Sequence, residues 1–67
     1  LHLLSQLYIT QLKGCFVVKE KRQNATILGE VRELSHQTLS IRTNKGYRLI
    51  EVADVLEIRL WEEGVYD

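Results

Sequence analysis

The sequence predicts a mainly β protein: a small antiparallel barrel of five or six strands, preceded by a short N-terminal segment that is helical or extended. Three observations predict this class. Apolar residues alternate along several short stretches, polar breaks separate these stretches, and none of the breaks is long enough for a crossover helix. A single sheet of this size leaves one face and two edges bare, so we expect it to curl and close. The 67 residues fit one small domain, 1–67, with one core.

The N-terminal segment is the first predicted element. Leu1, Leu4, Leu7 and Tyr8 recur at spacings of three and four, which suits one or two helical turns. Residues 8–10 fit a short β segment equally well. Helices this short are unstable alone in water, so we expect the segment to pack against the rest of the chain.

The second predicted strand, residues 25–34, carries the most informative residue. Ala25, Ile27, Gly29 and Val31 fall on one side of this strand, and mostly polar residues fall on the other. Glycine inside a strand costs stability and usually marks a bulge, a bend or the close approach of another backbone. Long strands of small barrels need such bends, so we expect the sheet to curve around Gly29.

The remaining strands follow the same alternation. Asn44-Lys45-Gly46 is the clearest turn, because Asn and Gly tolerate the positive φ of a tight hairpin. In the strand 56–61, Leu56, Ile58 and Leu60 are predicted to point inward. The predicted strands, in order, are residues 15–20, 25–34, 38–43, 47–52 and 56–61, with a turn at 62–64 and a last short strand at 65–67.

Composition bears on location and ligand class. Nine basic and nine acidic side chains cancel, whereas nucleic-acid-binding proteins usually carry a clustered basic excess, so the sequence favours a protein partner. The single cysteine, Cys15, lies in an apolar run, which predicts a buried, reduced thiol and a cytoplasmic location. The apolar stretches fall short of the ~20 residues of a membrane span, and the first residues lack the basic region of a secretory signal.

The sequence offers no catalytic pattern. His2, His36 and Cys15 do not have the spacing of a metal site or of a nucleophile with its base. Acidic residues alternate with basic ones, which is typical of ion pairs on a solvated strand face. We therefore predict a protein that is not an enzyme and that uses neither a metal nor another cofactor.

Two short motifs carry a family resemblance. Leu12-Lys13-Gly14-Cys15-Phe16-Val17-Val18, followed by Leu28-Gly29-Glu30-Val31, resembles the start of the PRC-barrel family. Within that family the chain is most similar to the C-terminal domain of the ribosome maturation factor RimM. Leu49-Ile50-Glu51, followed by the valine- and leucine-containing stretch 55–60, matches the order of two later strands of that domain. The resemblance implies a non-catalytic adaptor that docks onto a small-subunit ribosomal protein. It also implies a role in that contact for Tyr8, which matches one member of an aromatic pair.

A second resemblance leads to a different function. The stretch 29–34, followed by Leu39-Ser40-Ile41, resembles the bent second and third strands of Sm-like barrels, including Hfq. The apolar rhythm and the closing Asp54-Val55 are also similar to YolD-like proteins. The Sm-like resemblance implies an RNA-binding barrel that assembles into a ring of about six or seven subunits.

The two hypotheses predict different contact residues. Exposed Trp and Tyr side chains are favoured anchors of protein interfaces, because they bury a large area at low entropic cost. The predicted partner-binding residues are Tyr8, Tyr47, Trp61 and Tyr66. If RNA is the ligand, the predicted contacts are Lys19, Lys21, Arg22, His36 and Lys45.

Overall fold

The computed structural model describes residues 2–61, which form a short helix and a five-stranded sheet. This confirms the all-β class, and the N-terminal segment is helical rather than extended. The predicted turn at 62–64, the strand at 65–67 and Tyr66 lie outside the described residues. The elements are α1 (His2–Thr10), β1 (Lys13–Lys19), β2 (Asn24–Leu34), β3 (Thr38–Thr43), β4 (Gly46–Glu51), a 3₁₀ turn (Val52–Asp54) and β5 (Val55–Leu60).

All five strands are antiparallel and lie in the order β4-β3-β2-β1-β5. The sheet is strongly curled. In the strand register, Arg48 of β4 is aligned with Val31 of β2. Val31 is seven residues from Asn24, so in a flat strand about 23 Å would separate these two residues. Arg48 nevertheless forms an ion pair of 3.2 Å with Glu20, in the loop that leads into Asn24. The predicted closure is not confirmed, because no ladder joins β4 to β5 within residues 2–61 and both remain sheet edges.

The close backbone approach predicted at Gly29 is confirmed. A Cβ atom at this position would lie 2.1 Å from the carbonyl oxygen of Arg42 and 2.8 Å from Cγ2 of Ile41, so only glycine fits. Directly beyond it, the register between β2 and β3 shifts by one residue between Val31 and Glu33. The shift marks a β-bulge, which increases the local bend of β2.

Gln11 connects the helix to this bulge through hydrogen bonds. The residue ends α1 in a left-handed conformation, with φ of 58°, and its backbone N–H donates to the Leu7 carbonyl at 2.9 Å. Its side-chain Nε2 donates to the carbonyls of Tyr8 at 2.7 Å and of Val31 at 2.8 Å. Gln11 thus supplies a donor to the partly buried carbonyl of Val31, beside the point where the β2–β3 register shifts.

Gln11 therefore offers a test of this connection. Gln11→Ala should lower the free energy of unfolding by about 2 kcal/mol, since it leaves the Val31 carbonyl without that donor. Gln11→Gly loses the same bonds but relieves about 1 kcal/mol of left-handed strain, so it should cost about half as much. Equilibrium unfolding in urea measures both values, and a Gln11→Ala protein as stable as the unmodified chain would contradict the role.

The core lies on the inner face of the curled sheet, with α1 packed over one end. Phe16 is completely buried at its centre, and a Cβ on Gly14 would touch both the Phe16 ring and Leu7. Nine apolar side chains form this core: Leu4, Leu7, Phe16, Val18, Ile27, Val31, Leu39, Ile41 and Ile50.

The inward pattern predicted for β5 is only partly right. The register with β1 shifts between Val17 and Val18, so Leu56 becomes the extra residue and is 54% exposed. Ile58 opposes Phe16 and is half-buried, as predicted. Leu60 opposes Gly14 on the inner side, yet it is 45% exposed because β5 has no neighbour beyond it.

Candidate functional site

A row of paired residues crosses the outer face of the sheet. The register pairs Lys13 with Glu30, Glu30 with Arg42, and Arg42 with Tyr47. On the other side of β1, the backbone N–H of Trp61 donates to the carbonyl of Lys13 at 3.0 Å. Paired residues on neighbouring strands point to the same face, which is here the face opposite the core. The row, from β5 to β4, is aromatic, basic, acidic, basic and aromatic.

This row lies in an open groove of about 940 Å³, formed by the outer face of β2 and by the β3–β4 hairpin. Among the described residues, 2–61, Glu30 is the one acidic residue that lines it. Arg48, one of the basic residues that line the groove, is already paired with Glu20, which does not line it. The groove is lined by five of the nine basic residues of the chain: Lys13, Arg32, Arg42, Lys45 and Arg48.

Local structure presents three of these cations to solvent. Arg32 is the extra residue of the β2 bulge, and Arg42 stands in the transverse row. Lys45 is at the tip of the β3–β4 hairpin, where Thr43 Oγ1 accepts from the Lys45 N–H at 3.1 Å and donates to the Gly46 carbonyl at 2.7 Å. No side chain among residues 2–61 forms an ion pair or a hydrogen bond with the charged groups of Arg32, Arg42 or Lys45. Their charges remain accessible to a ligand.

The hairpin itself follows from its sequence. Thr43 pairs with Gly46, so Asn44 and Lys45 form a two-residue turn, as the Asn-Lys-Gly pattern predicts. Gly46 adopts φ of 119°, a conformation that L side chains rarely reach. The turn therefore fixes Tyr47 opposite Arg42 and directs both toward the groove.

The structure separates the predicted RNA contacts. Lys45 lines the groove, whereas His36 is exposed in the β2–β3 turn and does not. The β1–β2 loop is closed by a 3.1 Å hydrogen bond from Glu20 N–H to the Gln23 carbonyl, and the Glu20–Arg48 ion pair brings it beside the groove. The exposed cations of this loop and of the last residue of β1 stand next to the groove without lining it: Lys19, Lys21 and Arg22.

The predicted aromatic anchors are also separated. Tyr47, 67% exposed, and Trp61, half-buried, both line the groove. Tyr8 is 42% exposed and faces a smaller hollow of about 350 Å³ at the far end of β2 and β3. Leu49, an exposed residue of the β4 edge, lines the same hollow. The aromatic set is therefore divided between two surfaces.

Sequence reasoning missed Arg32 and Arg42, two of the three accessible cations of the groove. One signal could have found Arg42: the Asn-Lys-Gly turn fixes the hairpin register, and that register places Arg42 opposite Tyr47. Arg32 follows from no such rule, because its direction depends on a bulge that the sequence pattern does not mark.

Cys15 differs from its prediction. Its side chain is half-buried rather than buried, since it points to the outer face of β1, between Leu28 and Arg59 in the register. Within residues 2–61 there is no group of three or more His, Cys, Asp or Glu side chains placed to hold a metal ion. Nor does that part of the chain contain a helix with the length and apolar character needed to cross a membrane.

The chain was compared with known proteins at three levels. Family models, curated proteins and solved structures all gave no match.

Proposed function

We propose that this chain is a non-catalytic RNA-binding module and that the groove on its outer face holds the RNA. The observation that carries the proposal is a local excess of basic side chains: within residues 2–61, five basic residues and one acidic residue line the groove. Neutrality had favoured a protein partner, but that argument applies only if the charges are evenly spread. A basic stripe on one face is the electrostatic feature of nucleic-acid-binding proteins.

The physical basis is the release of counterions from phosphates. Each Lys or Arg that neutralises a phosphate frees a condensed cation, and this sequence-independent term supplies much of the affinity. Arg32, Arg42 and Lys45 suit this role, since no protein carboxylate within residues 2–61 competes for them. The Sm-like resemblance of β2 and β3 adds support from the sequence. The cytoplasmic location expected from the lone Cys15 accompanies this proposal and stays a prediction.

Neutralising the three accessible cations tests the proposal. The variant Arg32→Gln/Arg42→Gln/Lys45→Gln should bind a short oligouridine about a hundredfold more weakly, and the slope of log K against log salt should become shallower by about 2. Fluorescence anisotropy at several salt concentrations measures both quantities. All three side chains are solvent-accessible and outside the core, so the fold should persist.

A matched control removes the same net charge from the neighbouring loop. Lys19→Gln/Lys21→Gln/Arg22→Gln should lower the affinity by only a few-fold, because these residues stand beside the groove. An equal or larger loss in the loop variant would place the RNA on the β1–β2 loop and contradict the groove.

A protein adaptor of the RimM type is the second candidate, and one observation favours it. Tyr8, the aromatic residue singled out by that resemblance, shares its hollow with the exposed Leu49. A small-subunit ribosomal protein would be the partner on this hypothesis. The oligouridine titration separates the two candidates, because an adaptor of this kind needs no affinity for RNA. Its binding to small ribosomal subunits should depend on Tyr8 rather than on Arg42.

The ring implied by the Sm-like resemblance concerns the sheet edges. β4 and β5 are both uncovered within the described residues, and head-to-tail pairing of two different edges generates a ring when the rotation between subunits closes. The mass in solution decides between a ring and a monomer. A monomer would exclude the ring and leave the groove proposal intact, because the groove residues belong to one chain.

A further inference from the structure

We propose that the groove recognises single-stranded RNA by stacking one base on an aromatic side chain at each end of the transverse row, Tyr47 at β4 and Trp61 beyond β5. This inference rests on the RNA-binding function proposed above and names the form of RNA that the groove selects. The row carries the two properties that single-strand-binding surfaces combine. It has cations along the path, and it has aromatic faces on which bases stack.

The length of the row fits a short segment. Four of its members belong to neighbouring strands, and Trp61, directly after β5, is hydrogen-bonded to Lys13, so the path along the sheet covers four strand spacings, about 19 Å. A path of this length suits about four nucleotides, the lower end of the site sizes known for small single-strand-binding domains. Two aromatic residues at the ends of such a path would stack the first and last bases.

The charges along the row orient the bound RNA strand. Glu30 stands in the middle of the row, between Lys13 and Arg42 in the register, and its carboxylate repels phosphate from that position. The accessible cations Arg32 and Lys45 attract the phosphates elsewhere in the groove. The phosphates therefore lie along Arg32 and Lys45, and the bases face the row, which has an aromatic residue at each end.

Selection against duplex follows from the stacking. The bases of a double helix are paired and stacked inside, so they have no free face for an aromatic side chain, and the duplex offers this groove only its phosphates. A single strand adds the stacking contribution at each end to the same electrostatic attraction. The groove should prefer single-stranded RNA over duplex RNA of equal length.

Tyr47→Ala tests the stacking. Tyr47 is 67% exposed, so its truncation should leave the fold intact, and affinity for single-stranded oligouridine should fall about tenfold. The salt slope should not change, because no phosphate contact is lost. Tyr47→Phe keeps the ring and should bind like the unmodified chain. The matched control is Leu49→Ala, 76% exposed on the same strand and face but outside the groove, and it should have no effect.

The second arm compares single-stranded with duplex RNA on the unmodified chain, by anisotropy at one salt concentration. At least a tenfold preference for the single strand, together with the loss in Tyr47→Ala, would support the inference. Equal binding of both forms, with no loss in Tyr47→Ala, would overturn the stacking and leave the electrostatic RNA-binding function standing. Absence of binding to either form would overturn both.

Discussion

Gly29→Ala should lower the free energy of unfolding by at least about 3 kcal/mol, which is comparable to the total stability of a domain of this size. The added Cβ would lie 2.1 Å from the carbonyl oxygen of Arg42. This atom belongs to the backbone of the neighbouring strand, so relief requires β2 and β3 to separate where they pair. Separation breaks ladder hydrogen bonds and also displaces Ile41, which is fully buried.

Gly14→Ala is the matched control, because Gly14 pairs directly with Gly29 across β1 and β2. A Cβ there would meet only side-chain atoms, Cζ of Phe16 at 2.9 Å and Cδ1 of Leu7 at 3.0 Å. Side chains can shift by a few tenths of an ångström, so we expect a loss of about 1–2 kcal/mol. Thermal unfolding followed by circular dichroism compares the two, with about 4–8 °C per kcal/mol. Equal melting temperatures would show that the backbone contact at Gly29 does not set the cost.

The elements that local chemistry determines were predicted well. Alternation and turn residues place β1 to β5 within a few residues of their observed bounds. Gly29 predicts a close approach that exists, and Asn44-Lys45-Gly46 predicts the hairpin. These features depend on residues near one another in sequence, where steric rules apply directly.

The errors arise where a bulge changes the register. Leu56 was predicted to point inward, but the shift between β1 and β5 makes it an extra, exposed residue. A bulge reverses the alternation beyond it, and nothing in the apolar pattern shows on which strand the extra residue lies. The same limit applies to closure. Whether β4 meets β5 depends on the accumulated twist and bend of all five strands, which no single stretch of sequence specifies.

The candidate site was harder to predict than the fold, and for a related reason. Net charge favoured a protein partner, and the basic run 19–22 directed the alternative RNA contacts to the β1–β2 loop, which stays a prediction. The groove gathers Lys13, Arg32 and Arg42 from three separate strands, and only the strand register brings them together. Sequence clusters reveal sites built on one loop. A site built across a sheet becomes visible only when the pairing is known.

Leu4→Ala/Leu7→Ala is the second large effect, with an expected loss of about 5 kcal/mol or more, enough to unfold the chain. Both side chains are 1% exposed, and they are the helix residues that enter the core. A nine-residue helix has little stability of its own in water, so α1 depends on this contact. The core in turn depends on α1, because Leu7 covers the end of the sheet where Gly14 and Phe16 lie.

The helix offers its own control in Leu3→Ala/Ile9→Ala. These two side chains are 36% and 77% exposed, and they lie on the same helix as the buried pair. Alanine is the strongest helix former, so neither double variant weakens the intrinsic helix, and the difference between them isolates packing. Urea unfolding should show a loss below about 1 kcal/mol for the control. If the two double variants were equally stable, the packing of α1 against the sheet would contribute little to the stability of the fold. If only the buried pair unfolds the chain, the helix is part of the core that holds the curled sheet, and with it the groove, in shape.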